Sequence, residues 1–206
     1  MNNKIKVFLW KIKRYPFVSI SIVAINLLVF LLCIIFPAIY ERGYSSVYEV
    51  LSCKEYGRIV WAMFLHSDAE HIFSNMIIVM FLGSMLEEEI GHFWYGLVYF
   101  ISGIGANIFS LAVKYVTYDQ AGSLGASGAV FGLDGLLLAT VLFMGNRLEL
   151  PPARVIFVIF LSVYSGFTSS GIDNAAHVGG LLLGFLLGIL ISVGMKVYQN
   201  RKRRGD

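Results

Sequence analysis

Six long apolar runs dominate the chain, at about residues 17–39, 71–89, 93–116, 127–145, 153–169 and 175–195. Each is close to the ~20 residues that a helix needs to cross the hydrocarbon of a bilayer. In lipid every backbone N–H and C=O must be satisfied inside the protein, so runs of this length are expected as packed transmembrane helices. Only 14% of the 206 residues are charged and 57% are hydrophobic, whereas a soluble domain carries about 25% charged residues. The expected fold is an all-α membrane protein, a six-helix bundle over residues 17–195. A basic segment, 1–16, precedes it and a basic tail, 196–206, follows it. The fifth run is the weakest, because Ser165, Gly166, Thr168 and Ser169 interrupt its end.

Charge placement gives an orientation. Lys4, Lys6, Lys11, Lys13 and Arg14 precede the first run, and Lys196, Arg201, Lys202, Arg203 and Arg204 follow the last. Arg147 and Arg154 fall on the same side in a six-span topology, which leaves the opposite side only Arg42, Lys54, Arg58 and Lys114. Both termini are therefore expected in the cytoplasm. The acidic turn Glu87-Glu88-Glu89 on that side weighs little in the rule. Basic clusters beside spans read as topology signals and contacts for anionic lipid, not as a nucleic-acid surface. Cys33 and Cys53 lie at different depths and are expected as free thiols. The first run is too long for a cleavable signal peptide. The long outer loop, about 40–70, carries Tyr40, Tyr44, Tyr48, Tyr56 and Trp61. It suits an amphipathic structure at the lipid interface, or an aromatic belt anchoring its neighbours.

The polar residues inside the runs carry the chemistry. Ser127 stands between Gly125-Ala126 and Gly128 at the start of the fourth run. Flanking glycines permit a tight turn, and a helix N-terminus offers unpaired N–H groups that can stabilise an oxyanion. By itself the tetrapeptide fits a helix-packing patch as well, since Gly132 and Gly135 follow. His177, near the start of the last run, is a costly residue inside a membrane. Gly180, Gly184 and Gly188 share its helix face, and a strip of glycine lets another helix come very close. Ser127 and His177 are both expected near the outer ends of their helices, at similar depth, as a serine activated by a base requires. His71 and Asn75, spaced i, i+4, share one face of the second helix near the same end. They fit either an oxyanion site or a packing pair. A zinc site from His66, His71 and His177 with Glu70 or Asp68 is disfavoured, since Ser67 stands where H-E-x-x-H needs its first histidine.

In combination these segments resemble the rhomboid intramembrane serine proteases over nearly the whole chain. His66 to Asn75 resembles the second-helix motif of that family, Ser123 to Gly132 its nucleophile segment, and Ala176-His177-Val178-Gly179-Gly180 with Gly184 its base-bearing helix. Leu86-Glu87 with Gly91, and Ser102-Gly103 with Asn107, are similar to further family patterns. The resemblance implies a Ser127–His177 dyad with no acid member and an oxyanion site of His71, Asn75 and the Ser127 amide. It also implies that Gly125 shapes the loop and that Phe131 packs beneath the His177 ring, where tyrosine is common. Asp173, four residues before His177, is expected in the preceding loop. The chain departs from the family pattern at Tyr56-Gly57-Arg58 and Trp61, and at Asp134, a carboxylate in mid-helix expected to make a structural hydrogen bond.

The implied activity is hydrolysis of a peptide bond in or near the transmembrane segment of a membrane-protein substrate, with no metal and no other cofactor. The implied location is the plasma membrane of a bacterium, with the site facing the extracytoplasmic side. An inactive relative that binds transmembrane segments would lack Ser127 or His177. A transporter lined by the same polar residues would be expected to show an inverted repeat, and the sequence shows none.

Overall fold

The structure is a computed structural model that describes residues 15–144, 148, 150–168 and 171–204, with the side chains of 165–168 and 202–204 left aside. The basic residues before Tyr15 and Arg147 lie outside the described residues. Six principal helices follow one another: α1 (Phe17–Ile35), α2 (Ala69–Ile90), α3 (His92–Thr117), α4 (Ser127–Phe143), α5 (Pro152–Thr168) and α6 (Asn174–Arg204). Among the described residues α1, α2, α3 and α6 are long and apolar enough to cross a membrane. The two shorter apolar helices are α4 and α5.

The starts of α1 and α2 and the turn into α3 each have an identifiable cause. The first N–H groups of α1, at Val18 and Ser19, donate to the Glu87 carboxylate at 2.8 Å each, and the Ser19 hydroxyl joins them at 2.7 Å. Glu87 is fully buried and lies in the last turn of α2, where His92 Nδ1 also reaches it at 2.6 Å. It is thus not part of an acidic turn, since the helix runs on to Ile90. A carboxylate at a helix N-terminus satisfies donors that nothing else in the membrane would satisfy. Asp68 caps the start of α2 by accepting the His71 N–H at 2.9 Å. A π-helical turn over Val79–Gly83 interrupts α2, and Gly91, at φ +88°, makes the tight reversal into α3.

The core runs through Ile22, Met76, Val79, Leu86, Tyr95, Tyr99, Ala129, Val130, Leu133 and Leu136. Leu28, Leu31, Ile34, Phe81, Phe93, Phe157, Phe160 and Leu190 point outward, an apolar exterior suited to lipid. At the centre, α4 is buried from Gly128 to Leu133 and packs on α6 through glycine. A Cβ on Gly180 would strike the Gly128 carbonyl oxygen, one on Gly184 the Gly132 carbonyl, and one on Gly135 the Leu181 carbonyl. Backbone therefore meets backbone along the seam, as the glycine strips lead one to expect. The last helix continues through Lys196 to Arg204, so the basic tail is an extension of α6, built from good helix formers.

The segment between α1 and α2 folds over the end of the bundle as short turns: a helix at Pro37–Glu41, a π-helical turn at Tyr48–Ser52, a helical turn at Arg58–Trp61 and a 3₁₀ turn at Ala62–Phe64. Tyr48, Tyr56 and Trp61 are exposed, while Val47, Val50 and Ile59 pack on Leu111 of α3. Arg58 braces the segment, donating to the Tyr44 carbonyl at 3.0 Å and pairing with Glu55. The two cysteines are free thiols.

Candidate active site

The loop from α3 to Ser127 is pinned along its length. Tyr118 ends α3 in the left-handed region, and the Asp119 carboxylate accepts the Ala121 N–H at 2.8 Å. Ser123 and Ser45 exchange backbone hydrogen bonds of 2.7 and 3.0 Å as an isolated antiparallel bridge. The Gly125 N–H donates to the Ala62 carbonyl at 2.9 Å, and the Ala126 N–H points to His66 Nε2 at 3.5 Å. Gly125 has φ +115°, a conformation that L side chains rarely adopt. A Cβ there would also lie 2.7 Å from His71 Cε1 and 2.8 Å from its Nε2. Only glycine lets the main chain approach that imidazole so closely.

Ser127 is the first residue of α4, and no side chain caps the helix. The first helical hydrogen bond runs from the Val130 N–H to the Ala126 carbonyl. The N–H groups of Ser127, Gly128 and Ala129 are therefore left outside the helical ladder, as a ready anion-facing set.

His177 sits in the first turn of α6 and is buried. Its ring stacks on Phe131, with centroids 4.1 Å apart and planes 17° from parallel. Phe131 is one turn after Ser127, and the Gly128–Gly180 contact holds that turn against α6. His177 thus lies over the turn that begins with Ser127. No protein group among the described residues bonds its buried Nδ1. Asp173 does not take that place. It caps α6, accepting the Ala176 N–H on Oδ1 at 3.0 Å, and its Oδ2 is engaged by α3.

His71 and Asn75 line the first turns of α2. His71 Nδ1 is 3.1 Å from the Ser67 hydroxyl, and its Nε2 faces Gly125. Asn75 is buried, and its Nδ2 has no protein partner among the described residues. An orphan donor of this kind calls for an acceptor that the folded chain does not itself supply.

His66 meets the His71 ring edge-on at 5.0 Å. Burial, with the nearby His71 adding to it, pushes its imidazole down to about 4. It is therefore neutral at pH 7 and can accept from the Ala126 amide. The unfolded chain binds a proton near 6.5 that the folded chain refuses down to about 4. Stability should be full above pH 6.5 and fall as pH drops toward 4, by on the order of 3 kcal/mol. His66→Phe is expected to flatten that dependence, read as the unfolding midpoint in detergent against pH.

Among the described residues no three His, Cys, Asp or Glu side chains converge as a metal site. In the sequence Lys114 counts only as an outer-side charge and Ser123 only as the start of the nucleophile segment, and Ser110 has no assigned role. In the structure Lys114 is buried in α3 and donates to Ser123, with Ser110 sharing their carboxylate partner. A lysine inside an apolar run was the available signal. Asp134 lies partly exposed in mid-α4, one turn beyond Phe131.

Comparison with known proteins points to one family. The model of the Rhomboid domain matches residues 54–194. RHOMBOID-like protein 1 of Arabidopsis thaliana is 35% identical over 158 residues, covering 74% of this chain and 39% of that protein. RHOMBOID-like protein 2 of the same plant is 36% identical, covering 72% of this chain and 49% of the relative. Rhomboid-type serine protease 2 of Emericella nidulans is 36% identical over 137 residues, 65% of this chain and 26% of that protein. The chain thus spans half or less of the length of these relatives.

Proposed function

This chain belongs to the rhomboid family, and from that premise we propose that it is an intramembrane serine endopeptidase with Ser127 as nucleophile and His177 as general base. Its substrates are transmembrane segments of other membrane proteins. The observation that carries the reading is the placement of His177, stacked on Phe131 over the helical turn that Ser127 begins.

In the reaction, Ser127 Oγ attacks the scissile carbonyl while His177 takes its proton, later delivering it to the leaving amine. Water then hydrolyses the acyl-enzyme by the same base. No cofactor enters. The negative charge on the carbonyl oxygen is met by the Ser127 N–H, by Asn75 Nδ2 and by His71 Nε2. The histidine can donate there only in one tautomer. In the structure the Ser67 hydroxyl donates to the Asp68 carboxylate at 2.6 Å, so for a neutral His71 to donate from Nε2 that hydroxyl must turn its hydrogen to His71 Nδ1, 3.1 Å away, when substrate binds. Gly125 keeps the loop close to His71, while Gly180 and Gly184 hold α6 against α4. Phe131 fixes the plane of the imidazole in place of an acid, with no hydroxyl to add.

The site opens on the extracytoplasmic face of a multi-pass protein whose termini are cytoplasmic, an assignment supported by the basic tail of α6. A bacterial plasma membrane fits this six-helix form. The test is cleavage, in liposomes, of a peptide whose transmembrane helix carries helix-weakening residues and a small residue before the bond. Appearance of two fragments supports the reading, whereas capture of the intact peptide supports an inactive binding protein. Asp134→Leu should leave turnover within about twofold, as expected of a structural residue. A large fall in a folded variant would assign Asp134 to holding water beneath the dyad.

A further inference from the structure

Lys114 is a buried cation near the end of α3, and it is not idle. Its Nζ lies 3.0 Å from Asp173 Oδ2 and donates to Ser123 Oγ at 2.7 Å. The same carboxylate oxygen accepts the Ser110 hydroxyl at 2.6 Å and the Ser123 hydroxyl at 2.5 Å. Lys114 and Ser110 belong to α3, Ser123 to the nucleophile loop and Asp173 to the cap of α6. Four groups from three distant stretches thus meet at one oxygen.

The register of this cluster is what matters. Ser123 lies four residues before Ser127, and Asp173 lies four residues before His177. Both sides are fastened again by main chain, Ser123 to Ser45 and Asp173 to the Ala176 and His177 N–H groups. Between cluster and dyad there remain only Gly125, held by Ala62, and the first turn of α6. Burial raises the Asp173 carboxyl, but the Ser110 and Ser123 hydroxyls, the Ala176 N–H and the Lys114 charge outweigh it and keep it below the usual range. Asp173 is therefore a carboxylate at neutral pH. A hydrophobic contact would hold these stretches together with latitude, whereas a carboxylate shared by three directional donors fixes their separation.

We propose that Lys114, Ser123 and Asp173 are positioning residues, a buried clamp that sets the distance between the nucleophile loop and the base-bearing helix. The proposal rests on the protease reading for its effect on rate, but its structural part can be measured without turnover. Hydrogen exchange on the wild-type protein, Lys114→Met, Ser123→Ala and Asp173→Asn in detergent should show loss of protection in 119–128 and 172–178 together. The remainder of α1 and α2 should stay at wild-type protection. Ser123→Ala leaves the ion pair in place and guards against simple misfolding. In the cleavage assay Lys114→Met should lower kcat ten- to a hundredfold with KM within twofold, and Lys114→Arg should recover most of it.

Leu86→Ala, in the core toward the opposite end of α2, serves as a control for stability alone. It should lower the melting temperature without changing kcat per folded molecule. Unchanged exchange in both segments, or loss confined to α3, would overturn the clamp. So would a Lys114→Met enzyme with wild-type kcat. An inert wild-type enzyme with coupled exchange would instead remove the protease reading and leave the clamp standing.

Discussion

Ser127→Ala is expected to lower turnover of a transmembrane peptide by roughly 10⁵-fold, to the background of the assay, with little change in peptide binding. His177→Ala should cost about as much, and the double variant no more than either alone. The two residues act as a unit, because a serine without its base is a poor nucleophile and a base without the serine has nothing to activate. Among the described residues no other partner is at hand to compensate: the buried Nδ1 of His177 has no carboxylate on it, and Asp173 is occupied by α3 and the α6 cap. Turnover by purified variants in liposomes, with tryptophan fluorescence to confirm folding, measures this. Two separate and additive losses would instead mean that the residues contribute independently.

The second large effect concerns a residue that touches no substrate. Gly184→Ala would set a methyl group against the Gly132 carbonyl, where backbone faces backbone and no side chain can rotate away. The helices must part. Overpacking of this kind costs about 1–3 kcal/mol, and a misplacement near 1 Å costs on the order of 10²-fold in rate. Gly194→Ala, ten residues further along the same helix, has nothing within 4 Å of the new methyl and should be neutral. Melting temperature and kcat for the pair separate a packing requirement at this seam from a general preference for glycine in α6.

The helices were legible because lipid demands long apolar runs, and the α4–α6 seam because glycine at helical spacing has few other uses. Ser127, His177, His71 and Asn75 stood out as polar residues in apolar stretches. What was not legible depended on partners far away in sequence. Glu87 reads as one of three acidic residues in a turn, yet it satisfies the N–H groups that open α1, nearly seventy residues earlier. Lys114 reads as an outer-side charge at the end of the third apolar run, and the run does not show the Asp173 and Ser123 that make its burial tolerable. His66 reads as half of a two-histidine motif, and only the fold shows it beneath the Ala126 amide. The extension of α6 through its basic end was hidden for a simpler reason, since hydropathy marks where a span stops and not where a helix does.

The most direct measurement is covalent labelling by a fluorophosphonate probe of the purified wild-type protein in detergent, beside Ser127→Ala and His177→Ala. An activated serine predicts one equivalent of label on Ser127 in the wild-type protein and none in either variant. A folded wild-type protein that takes up no label, or label that persists in Ser127→Ala, would contradict the assignment of Ser127 as nucleophile.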